Sequence, residues 1–323
     1  MLLFRIKRLQ EGGSGMARHH ITLKSKNRLA KWPYIFLAPF ILSYFAFTLY
    51  PIFYSMYVSL TNWTAINVAE RKFIGIQNYQ RVIQDPLFWM ALKNTARLMV
   101  MAIPATAICG LLMAVLMSSI KKGRPVFQTI NFLPYIITPV AVGFMFSYLF
   151  DTNIGPVNAF LSFLGVTTKN INWLGSKQYA SWVVAFMMVW KNFGYFMILY
   201  LSGLSTIPDE LYEAAHVDGA NFFQSFLKIT LPLLKPITIF VIINSCINGF
   251  QLFDEPVQVF LGAGSRAVGG PERSVLTVIW YFYDVAFLNH SQYGYGSAVA
   301  FTLFVIIALI SLTNVKLLNR KEG

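Results

Sequence analysis

Two short stretches of an otherwise apolar sequence carry side chains that could hold a solute. One contains Trp190, Lys191, Asn192 and Tyr195, the other Asn244, Asn248, Gln251, Phe253, Asp254 and Glu255. Amides and carboxylates exchange hydrogen bonds with hydroxyl groups, and aromatic rings pack on the weakly polar C–H face of a sugar ring. On a helix, Asn244, Asn248 and Gln251 fall four and three residues apart and form a polar stripe on one face. Two readings of this set stand. It is helix–helix glue, each amide bonding a neighbour and each ring only packing, or it is a path for a polyhydroxylated cargo. Lys191 poses a further choice between a structural anchor and contact with the solute, and Arg97 poses the same one. Asp254 and Glu255 could instead lie at an outer mouth, facing a partner protein or a counter-charge.

Catalytic chemistry is hard to assemble from the same chain. It has no Gly-x-x-x-x-Gly-Lys-Ser/Thr, so it is not expected to hydrolyse ATP itself. Gly262-Ala263-Gly264 precedes no helical start signal and reads as a turn. His19, His20, His216 and His290 are too scattered for a triad or a metal site, and Cys109 and Cys246 lie inside apolar runs. No catalytic residue, metal or cofactor is expected in this chain.

Composition says what solvent surrounds these residues. Of 323 residues, 56% are hydrophobic and only 12% charged, about half the roughly 25% of a soluble domain. That charge cannot cover a water-facing surface, so the chain is expected to sit in lipid. Six apolar stretches are long enough to cross a bilayer: 33–58, 98–120, 126–150, 179–204, 237–261 and 297–315. The first is too long to be a cleaved signal peptide. The outer loop 59–92, with Trp63, Tyr79, Phe88 and Trp89, is expected to fold as short helices against the membrane surface.

With the N-terminus inside, the inner segments (1–32, the turn at 121–124, 205–235 and the tail from Lys316) carry sixteen basic residues, and the outer loops seven. This bias puts both termini in the cytoplasm and accounts for the net charge of +13 without nucleic acid. The domain plan is a basic arm over 1–32, a transmembrane domain over 33–317 and a short tail over 318–323. The Gly-Gly-Ser-Gly run at 12–15 is a flexible spacer within the arm.

One inner segment breaks the trend. Residues 205–235 hold Asp209, Glu210, Glu213 and Asp218 against Lys228 and Lys235. Ser205 or Thr206 can cap a helix with Pro208 in its first turn and acids near its positive end. Gly219 supplies a sharp turn, Asp218 or Asn221 caps a second helix over about 222–229, and Thr230, Leu231 and Pro232 end it. The product is either an interfacial linker or a docking element, in which exposed Glu213 and small Ala214 and Ala215 let a partner approach.

Glu213-Ala214-Ala215, Asp218-Gly219-Ala220, Phe226, Ile229, Leu231-Pro232 and Pro236 resemble the EAA loop of ABC importer permeases, in the spacing of the maltose-type carbohydrate branch. Phe73-Ile74-Gly75, Asn78-Tyr79 and Asp85-Pro86-Leu87-Phe88-Trp89 are similar to the first of the two permeases in such systems. Phe132-Leu133-Pro134 and Gly269-Gly270-Pro271 are also similar to that branch. The resemblance runs from about Trp32 to the end.

It implies an all-α integral membrane protein of the type I importer permease fold: six transmembrane helices with a cytoplasmic two-helix coupling loop. By the same resemblance, the chain is a non-catalytic subunit of a bacterial inner-membrane, ATP-driven importer of a sugar or oligosaccharide. Its partners would be a second homologous permease, two ATP-binding subunits that hold ATP and Mg, and an external solute-binding protein. Glu213 would pair with a basic residue of the ATPase, Gly219 would form the turn, and Ala214, Ala215, Asp218 and Ala220 would complete the coupling motif. The sugar path would run along 190–195 and 248–255. An acidic oligosaccharide or a glycerol-phosphate is the variant cargo in this class. A secondary transporter is a different class, which needs coupling-ion chemistry and usually an internal repeat.

Overall fold

A computed structural model describes residues 32–66, 71–120 and 122–319. The arm up to residue 31, residues 67–70, Lys121 and residues 320–323 lie outside the described residues, and with them most of the expected arm and part of the tail. The described chain is helical apart from turns and one antiparallel bridge between Thr61 and Phe73. It divides into two units, 1–54 and 55–323. The first contains most of α1 (Pro33–Ser59), an apolar helix without a charged residue and with a π-turn at Phe45–Leu49.

The second unit holds the rest. After α2 (Gln77–Gln84), α3 (Pro86–Ser118) is long and apolar enough to cross a membrane, as are α7 (Lys177–Leu204) and α13 (Tyr293–Asn319). The second span therefore starts well before the expected residue 98. Asp85 explains why: its carboxylate accepts the Leu87 N–H at 2.9 Å, and Pro86 needs no N–H partner in the first turn. The polar residues that hid this turn from a hydropathy reading are occupied. Asn94 Nδ2 donates to the Arg273 carbonyl at 2.8 Å, and Arg97 Nη2 donates to Ser181 Oγ at 2.7 Å and to the Ser274 carbonyl at 2.6 Å. Arg97 is thus an anchor. Phe88, expected at the membrane surface, is core at 1% exposure, whereas Trp89 is exposed.

The third and fifth spans are not single helices. The third is α4 (Arg124–Ile136) and α5 (Pro139–Leu149), bent by 92°, and the short α6 (Pro156–Phe163) follows it. Pro139 drives the preceding Thr138 out of the helical region, to φ −60° and ψ 143°. The fifth is α10 (Lys235–Phe250) followed, past residues 251–253, by α11 (Asp254–Gly262). Pro256 has no N–H to give the Leu252 carbonyl four residues back. The buried Thr277 hydroxyl donates to that carbonyl instead, at 2.7 Å.

The half-helices interlock with a long helix and with each other at glycines. A Cβ on Gly194 of α7 would meet the Asn131 carbonyl oxygen of α4 at 1.8 Å, and one on Gly143 of α5 would meet Gln258 of α11 at 2.4 Å. Two apolar clusters result. One joins the N-terminal halves of α3 and α7 to α11, α12 (Val278–Leu288) and α13 through Phe88, Leu98, Met187, Phe260 and Leu303. The other joins the C-terminal halves of α3 and α7 to α10 through Met117, Met197, Tyr200 and Val241.

At the N-terminal end of α3, Asp85 also accepts hydrogen bonds from the Tyr281 hydroxyl and, at 2.5 Å, the Tyr295 hydroxyl. Arg81 lies 4.1 Å over the Tyr295 ring and donates to Gln292 at 2.8 Å. Burial alone would raise the Asp85 carboxyl. The hydrogen bonds from Tyr281, Tyr295 and the Leu87 and Phe88 N–H groups outweigh it and hold the carboxyl below its ordinary range. Its contribution is therefore complete above the unfolded value of about 3.9 and lost as pH falls through the lower folded value. Asp85→Asn is expected to lower the melting temperature at neutral pH and to flatten the acid limb of the stability curve, read by thermal melts across pH.

Candidate functional site

Where the two apolar clusters meet, near the middle of α3 and α7, lies a cavity of about 470 Å³. That is within the range of small-molecule sites, about 300–1,000 Å³. Its walls come from α3 (Ile103, Thr106), the end of α4 (Tyr135), one face of α7 from Met188 to Phe196, the last turns of α10 and the break at 251–255. Broken helices expose polar groups only where they face protein or a water-filled space, and this break faces the cavity.

The strongest interaction in the wall is an ion pair. Lys191 Nζ lies 2.5 Å from Glu255 Oε1, with side chains 10% and 19% exposed. A charge at this depth is costly unless paired. Glu255 is also favoured by its place in the first turn of α11, where the helix end carries partial positive charge. Asp254 shares that turn, is exposed to the cavity and has no hydrogen bond or ion pair to another described residue.

Eight of the residues singled out in the sequence line this cavity: Lys191, Asn192, Tyr195, Asn248, Gln251, Phe253, Asp254 and Glu255. Two do not. Trp190 turns into the core, its ring centroid 5.5 Å from that of Phe146. Asn244 stays off the wall and accepts the Asn248 Nδ2 at 2.7 Å. The expected helical stripe also ends early, since Gln251 is the cap beyond α10. Glu255 faces a counter-charge inside the cavity, on α7.

Tyr135, Thr106 and Ser245 are lining residues that the sequence reading did not name. Tyr135 stacks on Tyr195 with centroids 4.7 Å apart and planes 11° from parallel. The kink at Thr138-Pro139 brings it there, and Pro139 is the signal that could have found it. On span three, Tyr148 is exposed, and Ser147 lines a different cavity beside Asp151 and Asn172.

The second candidate element is the acidic loop between α7 and α10. Its first helix, α8 (Asp209–Val217), starts after Pro208, which is extended, so Pro208 precedes the helix and does not sit in its first turn. Ser205 and Thr206 do not cap it; each hydroxyl donates back to the end of α7, to Ser202 and Gly203. Gly219 takes φ +79°, a left-handed conformation suited to glycine. Asn221 and Gln224 form a capping box, with both bonds at 2.9 Å.

The second helix, α9 (Phe222–Leu233), runs through Thr230-Leu231-Pro232 instead of stopping there. A π-turn at Phe226–Thr230, closed by the Leu231 N–H on the Phe226 carbonyl, absorbs the proline. The helix bends by 62° into α10. Tyr212 and Thr230 hydroxyls, 2.9 Å apart, tie the two short helices together. Glu213, Ala214, Asp218 and Gly219 are exposed, Ala215 and Ala220 half-buried. Beside them Val217, Phe222 and Phe223 are 86%, 72% and 65% exposed, an apolar surface the sequence reading did not single out.

Residues 106–321 match the family model described as binding-protein-dependent transport system inner membrane component. Among curated relatives, the arabinooligosaccharides transport system permease protein AraP of Bacillus subtilis (strain 168) is 32% identical over 293 residues, 90% of each chain. The trehalose/maltose transport system permease protein MalF of Thermococcus litoralis is 31% identical over 298 residues, covering 92% of this chain and 97% of the relative. The crystal structure of a bacterial ABC transporter involved in the import of the acidic polysaccharide alginate contains a similar fold. Its matching chain gives a TM-score of 0.77 at 22% identity, with 91% of this chain and 98% of that one covered.

Removing one partner of the buried pair should be worse than removing both. Lys191→Met is expected to destabilise the folded chain by about 3–5 kcal/mol by stranding Glu255, and Lys191→Met with Glu255→Gln is expected to recover much of that loss. A double-mutant cycle of thermal melts in detergent measures both; equal melting of all four proteins would contradict the pairing.

Proposed function

Because the chain belongs to the family of binding-protein-dependent transport system inner membrane components, we propose that it forms half of the path by which a carbohydrate crosses the membrane. The chain is a multi-pass permease subunit of such a system. The observation that carries the cargo is the central cavity. It offers amides at Asn192, Asn248 and Gln251, a carboxylate at Asp254 and the stacked Tyr135–Tyr195 pair, a set that fits hydroxyls and sugar C–H faces. Relatives named for arabinooligosaccharides, trehalose and maltose favour the same cargo class.

The remaining partners follow from the acidic loop. We assign α8 and α9 as the element that seats in an ATP-binding subunit, with Glu213 as the ion-pairing residue and Gly219 as the turn. Ala214, Ala215, Asp218 and Ala220 make close approach possible. Two ATP-binding subunits, which bind ATP and Mg, and a second homologous permease complete the assembly. Both termini lie in the cytoplasm, the orientation that puts this loop and most basic residues on the same side. A neighbour solved with an alginate pentasaccharide-bound periplasmic protein supports delivery of the cargo by a binding protein.

The mechanism is alternating access. ATP binds one arrangement of the assembly more tightly, so it shifts the population toward that arrangement. The loop carries the movement inward through the Tyr212–Thr230 contact and the apolar cluster around Tyr200 and Leu234. That cluster borders the cavity at Phe196. A secondary transporter, self-sufficient by definition, does not fit membership in this family.

Glu213→Lys is expected to abolish ATPase stimulation by loaded binding protein while leaving sugar capture by the binding protein intact. Full stimulation in the variant would end the coupling assignment. Asn248→Ala and Gln251→Ala are expected to change substrate preference in transport assays more than yield of the complex. A drop in yield alone would return these residues to helix packing.

A further inference from the structure

The fold alone does not set the charge of the cargo, since a similar fold occurs in a transporter of an acidic polysaccharide. The side chains lining the cavity must set it. We propose that this cavity is charge-selective: Glu255 occupies Lys191 and Asp254 adds an unpaired carboxylate, so the site admits neutral saccharides and rejects uronates and other anionic ones. This rests on the carbohydrate reading above.

An anionic sugar needs a cation whose charge is not already neutralised. Lys191 is the one basic side chain among the described residues of the cavity wall, and its Nζ is held at 2.5 Å by Glu255. A uronate that used the remaining Lys191 N–H donors would share that cation with Glu255 and lie against the Glu255 charge. Arg97, within reach of the same helix, is committed to Ser181 and Ser274 and is absent from the wall. The wall therefore carries Lys191 against Asp254 and Glu255, an excess of negative charge.

A neutral sugar meets the opposite conditions. Asp254, free of any described partner, can accept hydroxyl donors in charge-assisted hydrogen bonds. Asn248 and Gln251 offer both donors and acceptors beside it. The ion pair then acts as a filter by neutralising the one basic side chain among the described residues of the wall.

The test uses the intact permease–ATPase complex in nanodiscs and paired probes: malto- and arabino-trisaccharides, each beside its counterpart with primary hydroxyls oxidised to carboxylates. Calorimetry should give the native complex at least about a tenfold preference for the neutral member of a bound pair, or ~1.4 kcal/mol. Glu255→Gln should narrow that ratio, and Asp254→Asn with Glu255→Gln should reverse it. If Glu255→Gln fails to assemble, Asp254→Asn, which breaks no described bond, should still narrow the ratio. Equal affinity for both members in the native complex, including affinity supplied by a cation of the second permease, overturns the filter. So does a ratio that the charge series leaves unmoved. If no member of any pair binds, the carbohydrate reading itself falls, and the filter with it.

Discussion

A helix cannot be interrupted within hydrocarbon unless its freed backbone groups find other partners, because no water is there to take them. The break between α10 and α11 meets that demand through Thr277, whose buried hydroxyl donates to the Leu252 carbonyl that Pro256 leaves without a donor. Thr277 belongs to a segment already fastened to α3 by Asn94 and Arg97 and capped onto α12 through the Trp280 N–H. The cavity exists because this break is held open, and the break is held because a distant stretch of chain has been brought to it.

The ion pair depends on the same geometry. Lys191 sits midway along an unbroken helix, and its partner sits in the first turn of a half-helix whose start is fixed by the break. Were α10 to continue without interruption, Glu255 would lie further along its axis and lose the helix N-terminus that favours its charge. Gly143 and Gly194 serve the arrangement by omission, since a methyl group at either would collide with the neighbouring helix backbone or side chain.

Much of this was legible in the residues, and the exceptions have identifiable physical causes. The chain's membrane class, its helical content and spans one, two, four and six follow from apolar length and low charge. The kinks do not, because hydropathy is blind to backbone hydrogen bonds; only Pro139 and Pro256 mark them. Pro86 and Asp85 announced the true start of α3, but four polar residues behind them masked it. Eight residues of the cavity were legible because ionisable and amide groups are conspicuous among Leu and Phe. Tyr135 and Thr106 were not, since a tyrosine or threonine in an apolar helix is unremarkable until the tertiary structure turns it inward. Gly219 and Asn221 behaved as local chemistry dictates, whereas the π-turn that carries α9 past Pro232 has no sequence signature of its own.

Val217, Phe222 and Phe223 lie bare at the elbow between α8 and α9. Any copy in which nothing covers the elbow would present these three side chains to water. Such bare apolar side chains stick to one another or to chaperones, so the elbow carries a cost in any copy that leaves it uncovered.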